Sequence, residues 1–278
     1  MKKRILFTAA ALVCAANLTA QCLGVGSSTS SMSPEEMAAA AKAGVEYVEI
    51  GISGRGTVAE IREKALHAKR MADEAGLKVW SCHLPFGRNC DISVVDPEQR
   101  ERNVAYIERM IRLSAIFRPQ RLVLHPGSRP VPEEERSERE RCAANSICRL
   151  SLAAKEIGAV LCVENMPHSI GRTSAEMLRL IGGCTEAMVC FDTNHLLLES
   201  HADFIGALGD RIATVHLSDY DGRDERHWLP GRGVIDWPDL CRRLRRTGYR
   251  GVYIFEVHHG EATCRDLVKA YGQGLRKK

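Results

Sequence analysis

The sequence lacks an excess of charge of either sign. Its 278 residues carry 39 Lys and Arg against 35 Asp and Glu, and three of the basic residues are Lys2, Lys3 and Arg4. Without those three the count is 36 against 35. A dedicated nucleic-acid binder usually has a clear basic surplus, so no nucleic-acid partner is expected. Hydrophobic residues make up 45% and charged residues 27% of the chain, as in ordinary globular proteins.

Several motifs of familiar chemistries are also missing. No two of the 11 cysteines have the Cys-x-x-Cys spacing of a zinc ribbon. No Gly-x-Ser-x-Gly sequence occurs, which argues against a serine hydrolase, and no predicted strand ends in lysine, which argues against Schiff-base chemistry. The apolar run nearest the N-terminus, residues 5–16, is too short to span a bilayer, and no other segment is long enough either.

The first 20 residues have the pattern of an export signal. The three basic residues precede the apolar run at 5–16 and a small-residue site that ends at Ala20. We therefore predict a signal peptide over residues 1–20, an exported, periplasmic protein, and one domain over residues 21–278. Lipid attachment at Cys22 is the alternative.

Short apolar runs alternate with longer amphipathic stretches from residue 22 onward. Helix starts are marked by capping residues, such as Ser33 with Glu36 and Thr57 with Glu60, and glycines such as Gly44 mark helix ends. The predicted strands are residues 23–26, 45–50, 77–83, 121–125, 159–164, 187–192, 212–217 and 251–257.

Eight repeats of strand, capped helix and glycine stop predict an α/β fold, a (β/α)8 TIM barrel. An open, doubly wound sheet is the alternative arrangement of the same elements. Such a sheet favours Gly-x-Gly-x-x-Gly in its first turn. The first turn here, residues 24–29, lacks the third glycine. The barrel is therefore the favoured fold.

Acidic residues and histidines stand where seven of the predicted strands end. In a (β/α)8 barrel these strand ends form one rim, which carries the active site. Imidazole and carboxylate groups that converge there suit a divalent ion such as Mn, Zn or Co. His195 and His227, in the loops after the sixth and seventh strands, extend the ring. The strand-end residues are Glu49, His83, His125, Glu164, Asp192, His216 and Glu256.

Residues two positions before a strand end point into the same interior, one layer deeper. They are small or apolar, as a packed layer requires. Cys162 and Cys190 are therefore expected to be buried thiols that behave as small hydrophobic residues. The predicted layer consists of Ser81, Val123, Cys162, Cys190, Thr214 and Ile254.

At these residues the chain resembles the xylose isomerase-like barrel superfamily. That superfamily contains sugar isomerases and epimerases and the endonuclease IV type of DNA-repair enzyme. The resemblance extends from residue 22 to about residue 272. The segments that carry it are His83-Leu84-Pro85-Phe86, His125-Pro126-Gly127-Ser128, Val163-Glu164-Asn165, Phe191-Asp192-Thr193-Asn194-His195, His216-Leu217-Ser218-Asp219, residues 227–237 and Phe255-Glu256-Val257.

The resemblance implies a set of metal ligands. The mononuclear epimerases of the superfamily hold one divalent ion with one residue from each of strands five to eight. The matching residues here are Glu164, Asp192, His216 and Glu256.

The endonuclease IV type binds three zinc ions through further ligands. One of these is normally aspartate and is Glu225 here, a departure that puts a full trinuclear site in doubt. The resemblance leaves the other positions open as substrate-binding residues or additional metal ligands. They are matched by His83, His125, His195 and His227.

The resemblance implies proton transfer next to the carbonyl of a sugar or sugar derivative, via an enediolate, with Glu164 and Glu256 as the acid–base pair. A keto-glycoside lyase is a close alternative, since the same chemistry on a keto-sugar expels a β-substituent. An endonuclease IV-like metal phosphoesterase is another, although the charge and the export signal oppose it. A non-catalytic sugar- or metal-binding barrel is the last. Assembly into a homo-oligomer stays open.

Overall fold

The computed structural model describes residues 23–28, 33–52, 54–258 and 262–272. The predicted signal peptide, its cleavage site and Cys22 lie outside these ranges. Within them, no helix is both long enough and apolar enough to cross a membrane.

Strands and α-helices alternate along the described chain. The strands are β1 (Leu23–Ser28), β2 (Tyr47–Gly51), β3 (Lys78–His83), β4 (Arg121–Leu124), β5 (Val160–Glu164), β6 (Met188–Asp192), β7 (Ile212–Leu217) and β8 (Tyr253–Phe255). The helices are α1 (Pro34–Ala43), α2 (Val58–Glu74), α3 (Pro97–Ser114), α4 (Arg136–Glu156), α5 (Ser174–Ile181), α6 (His201–Leu208), α7 (Trp237–Arg246) and α8 (Cys264–Ala270).

The eight strands form one closed parallel barrel in chain order. Closure is made by β1 and β8, where Leu23 pairs with Tyr253 and Val25 with Phe255. The predicted (β/α)8 barrel is therefore confirmed. Since all strands run in the same direction, their carboxyl ends meet at one rim.

Local sequence explains where the helices begin and end. Ser33 accepts a hydrogen bond from the backbone N–H of Glu36 at 3.2 Å, and the Glu36 carboxylate accepts one from the Ser33 N–H at 2.7 Å. Thr57 and Glu60 form the same reciprocal cap on α2. Gly44 ends α1 with φ of 102°, in the left-handed region that favours glycine. The predicted caps are confirmed.

The inner layer of the barrel is packed as the sequence predicts, with one addition. All six predicted members of this layer are fully buried, and Cys162 and Cys190 are free thiols. Glu49, however, pairs with Ser81, while Gly51 pairs with His83. The prediction that Glu49 lies at the rim is therefore wrong: β2 continues to Gly51, so the register places Glu49 one layer deeper.

Candidate metal centre at the carboxyl ends of the strands

Four donor side chains from the last four strands meet at the barrel rim. Glu164 and Asp192 end β5 and β6, His216 lies in β7, and Glu256 directly follows β8. One donor atom from each lies within 4.8 Å of the others. His216 Nδ1 is 3.1 Å from an oxygen of Glu164, 3.1 Å from one of Glu256 and 3.9 Å from one of Asp192. The structure thus brings together the four residues predicted as metal ligands.

Two carboxylate oxygens in this group lie near histidine nitrogens but accept no hydrogen bond. Asp192 Oδ2 and Glu256 Oε2 are buried and accept no hydrogen bond. A buried polar atom without a partner costs about 1–3 kcal/mol, and more when it is charged. A divalent cation between the four side chains would satisfy both oxygens, and imidazole and carboxylate are ligands that such ions take in proteins. The residues present therefore fit a divalent ion.

Two asparagines hold Asp192 in place. The Asn165 side chain accepts a hydrogen bond from the Asp192 N–H at 2.8 Å and donates one to the Asp192 carbonyl at 3.0 Å. Asp192 Oδ1 accepts from the Asn194 N–H at 2.6 Å. With Oδ1 occupied, Oδ2 is the oxygen left to face the other ligands. Neither asparagine was predicted to have a role, although both stand beside predicted ligands in the sequence.

A second group of donors surrounds Glu164. Its Oε2 lies 3.0 Å from His125 Nε2 and 3.3 Å from His83 Nε2. The Phe86 ring stacks on His125 with the ring centres 4.5 Å apart, and its side chain is 62% exposed. The predicted residues His83 and His125 thus share one carboxylate with the four-residue group, at the open mouth of the barrel.

A third group of donors is centred on Glu225. Its Oε2 lies 3.3 Å from His195 Nε2 and 3.8 Å from His227 Nε2. Arg129 forms an ion pair with Oε1 of the same carboxylate. This residue was not among the predicted site residues. His227 has φ of 49°, an uncommon value for a residue other than glycine, and its N–H bonds to Asn194 Oδ1. This backbone conformation directs the imidazole toward His195 and Glu225.

Hydrogen bonds to the backbone orient three of the histidines. His83, His195 and His227 each place Nδ1 within 2.9–3.0 Å of a backbone carbonyl oxygen. A carbonyl only accepts, so Nδ1 carries a proton in each of these histidines and Nε2 is the ring nitrogen that faces the carboxylates. His216 has the opposite arrangement, with Nε2 3.1 Å from Glu49 Oε2 and Nδ1 in the four-residue group.

Burial and charge act against each other on the ionisation of these groups. Burial, reinforced by the charges of Glu256 and Glu164, raises the pKa of Asp192 to about 7 despite the nearby His195. Burial also opposes ionisation of Glu164, but His216 and His125 outweigh it and hold the pKa of Glu164 well below its ordinary value. Among the three carboxyl groups of the four-residue group, Asp192 is therefore the one whose pKa is raised, while those of Glu164 and Glu256 are lowered.

The balance between burial and nearby carboxylates also sets the pKa values of three histidines, and it differs among them. Burial disfavours a charge on His83, but the adjacent Glu164 carboxylate raises the pKa of His83 to about 9. Burial prevails at His125, whose pKa is lowered although it faces the same carboxylate. Burial opposes a charge on His195 too, and Asp192 and Glu225 raise its pKa to about 10. The rim thus holds both ionised carboxylates and imidazoles that differ in proton affinity.

Comparison with known proteins identifies the family of the chain. The model of the xylose isomerase-like TIM barrel family matches residues 37–277. The chain belongs to this family. Among curated proteins it is similar to the D-psicose 3-epimerase of Enterocloster bolteae, with 23% identity in an alignment 230 residues long that covers 77% of this chain and 72% of that one.

Solved structures of the family have the same barrel. A D-tagatose 3-epimerase-like protein aligns over 90% of this chain and 94% of its own, with a TM-score of 0.76 and 22% identity. The 3-keto-D-glucoside 4-epimerase from E. coli aligns over 89% of this chain and 98% of its own, with a TM-score of 0.69 and 19% identity. At these identities the likeness shows the fold. Within the family fold, the predicted site residues lie together at the rim, while their individual roles stay predictions.

Proposed function

We propose that this member of the xylose isomerase-like family is a divalent-metal-dependent sugar isomerase or epimerase, which transfers a proton at the carbon next to a carbonyl. The observation that carries the proposal is the convergence of Glu164, Asp192, His216 and Glu256, in which two buried carboxylate oxygens accept no hydrogen bond. The sugar epimerases among the relatives support the substrate class.

The chain's own residues would hold the substrate and move the proton. A bound divalent ion would supply Lewis-acid polarisation of the substrate carbonyl. Burial opposes ionisation of Glu164 and Glu256, but His216 outweighs it and lowers the pKa of each, so both are carboxylates at neutral pH. One carboxylate removes the proton from the carbon and releases it to solvent, and the other takes up a proton from solvent and delivers it to the carbon. The Nε2 atoms of His83 and His195 are placed to contact substrate hydroxyl groups.

Deuterium exchange tests this proposal. The purified protein, loaded in turn with Mn, Zn and Co, is incubated with a panel of keto-sugars in D2O, and NMR locates any incorporated deuterium. We expect exchange at the carbon beside the carbonyl, and its loss in Glu164→Gln and Glu256→Gln. Metal content is measured for every variant, because each glutamate is expected to be both ligand and base.

The outcomes separate the roles. A Gln variant that retains metal and exchanges at the wild-type rate would show that its glutamate is not the base. Wild-type protein that binds metal but exchanges no sugar proton would refute the proposal. Release of a β-substituent, detected by mass spectrometry, would instead identify the keto-glycoside lyase.

A metal phosphoesterase is the second candidate, and a specific observation favours it. Besides the four-residue group, the described residues hold the donor sets His83–His125–Glu164 and His195–Glu225–His227. A site for one ion does not require these additional sets. Three bound ions per chain, together with metal-dependent cleavage of an abasic duplex or a nitrophenyl phosphodiester, would favour this function. One bound ion and no cleavage would exclude it.

A further inference from the structure

Glu49 is an unusual residue for its position in the barrel. It lies on β2 in the layer beneath the rim, where Val123, Cys162 and Ile254 fill the interior, and it is only 4% exposed. Branched apolar side chains ordinarily fill such layers. A carboxylate buried there costs stability unless hydrogen bonds compensate it. Its contacts therefore indicate what the carboxylate does at this position.

One oxygen of Glu49 makes two polar contacts. Its Oε2 accepts a hydrogen bond from Ser81 Oγ at 2.6 Å and lies 3.1 Å from His216 Nε2. Ser81 is the residue paired with Glu49 on the adjacent strand β3, whereas His216 belongs to β7 and reaches Glu49 through the interior. His216 is fully buried, so bulk solvent does not reach either of its ring nitrogens.

The two ring nitrogens of His216 face different environments. Nδ1 lies among the carboxylate oxygens of Glu164, Asp192 and Glu256, where it serves as a ligand only if it offers a lone pair. A neutral imidazole has a single N–H, which must then be on Nε2. Glu49 is the hydrogen-bond acceptor that faces Nε2.

We propose that Glu49 is the positioning residue of the metal centre: it accepts the Nε2–H of His216, which fixes the tautomer and ring orientation that present Nδ1 to a divalent ion. Ser81 in turn orients the Glu49 carboxylate. Carboxylate partners of this kind also make a ligating imidazole a stronger donor. The inference rests on the proposed metal site, but the tautomer of His216 is a property that can be measured without any metal.

Three variants test the inference. Glu49→Gln retains the shape and removes the charge, and Ser81→Ala removes only the hydroxyl that orients Glu49. Glu140→Gln is the matched control, because Glu140 is also a buried glutamate but pairs with Arg179 between α4 and α5, away from the rim. Affinity for Zn and Co is measured by competition with a chelator, and 15N-histidine NMR reports which His216 nitrogen carries the proton.

We expect Glu49→Gln to weaken metal binding by about 10–100-fold and to distribute the proton of neutral His216 over both nitrogens. Ser81→Ala should produce a smaller loss of affinity, and Glu140→Gln none. Wild-type affinity in Glu49→Gln, or weakened affinity with the proton still entirely on Nε2, would overturn the inference. If the wild type binds neither ion, the proposed function fails, and the tautomers of wild type and Glu49→Gln in metal-free protein at high pH still decide the inference by themselves.

Discussion

Replacing Asp192 by asparagine is expected to stabilise the protein when no metal is bound. Asp192 Oδ1 accepts a hydrogen bond from the Asn194 N–H, and the amide oxygen of asparagine can keep it. Oδ2 is buried and accepts no hydrogen bond, and it lies near the oxygens of Glu164 and Glu256. An amide NH2 in its place would donate to those carboxylates instead of repelling them.

The magnitude follows from the pKa of Asp192. Burial and the adjacent carboxylates raise it from 3.8 to about 7, which corresponds to about 4 kcal/mol at 1.36 kcal/mol per pKa unit. Between these two pH values the folded state holds a proton that the unfolded state has lost. The free energy of unfolding of the metal-free wild type therefore falls as pH rises through this window, as far as Asp192 is concerned. The stabilisation by Asp192→Asn should be small near pH 4 and complete above pH 7.

Thermal unfolding in a chelating buffer measures this difference. For a domain of this size about 1 kcal/mol shifts Tm by roughly 2–4 °C, so the variant should melt about 8–16 °C above the wild type at pH 8. Added Zn or Mn should raise the Tm of the wild type more than that of the variant, because the variant lacks one anionic ligand. A variant no more stable than the wild type at pH 8 in chelator would refute the reasoning.

Asp219→Asn is the matched control, since the same chemical change should have the opposite sign. Asp219 is fully buried, and its oxygens accept from the N–H groups of Tyr220, Gly231 and Ile235 and from Trp237 Nε1. An amide NH2 facing these donors leaves at least one of them unsatisfied. We expect a loss of about 1–3 kcal/mol, with or without metal.

Two further predictions concern other parts of the chain. Gly233→Ala should lower Tm, because its Cβ would overlap the Tyr220 carbonyl oxygen and Asp219 Oδ1, whereas Gly231→Ala, with open space at Cβ but φ of 92°, should cost less; equal melting of Gly233→Ala and wild type would contradict this. Intact-mass analysis of the purified protein should find a chain that begins after Ala20, as the predicted signal peptide requires; a retained Met1, or a lipid on Cys22, would be the contrary result.

The barrel was predictable because its signals are local. Alternating apolar patterns, capping residues and glycine stops each depend on a few neighbouring residues, and parallel strands place their carboxyl ends at one rim by topology alone. Glu164, Asp192, His216 and Glu256 therefore fall together as predicted. The sequence also predicted the buried thiols Cys162 and Cys190, since position along a strand alternates between interior and exterior.

The contacts within the rim depended on barrel closure. Register between β2 and β3 moved Glu49 from the rim to the layer beneath His216, and no pattern within β2 encodes that displacement. The ion pair of Arg129 with Glu225 joins residues 96 positions apart.

Apart from Glu49, the sequence by itself thus determined which residue types reach the rim. The reason is that the apolar alternation of each strand, and the residues that end it, can be read within that strand alone. Only the tertiary structure decided which nitrogen of each histidine faces the centre, which carboxylate oxygens lack a partner and which acidic side chain lies beneath the site. The physical reason is that hydrogen bonds, burial and pKa values depend on distances of a few ångströms between distant segments, and these are set only when all eight strands close into one barrel.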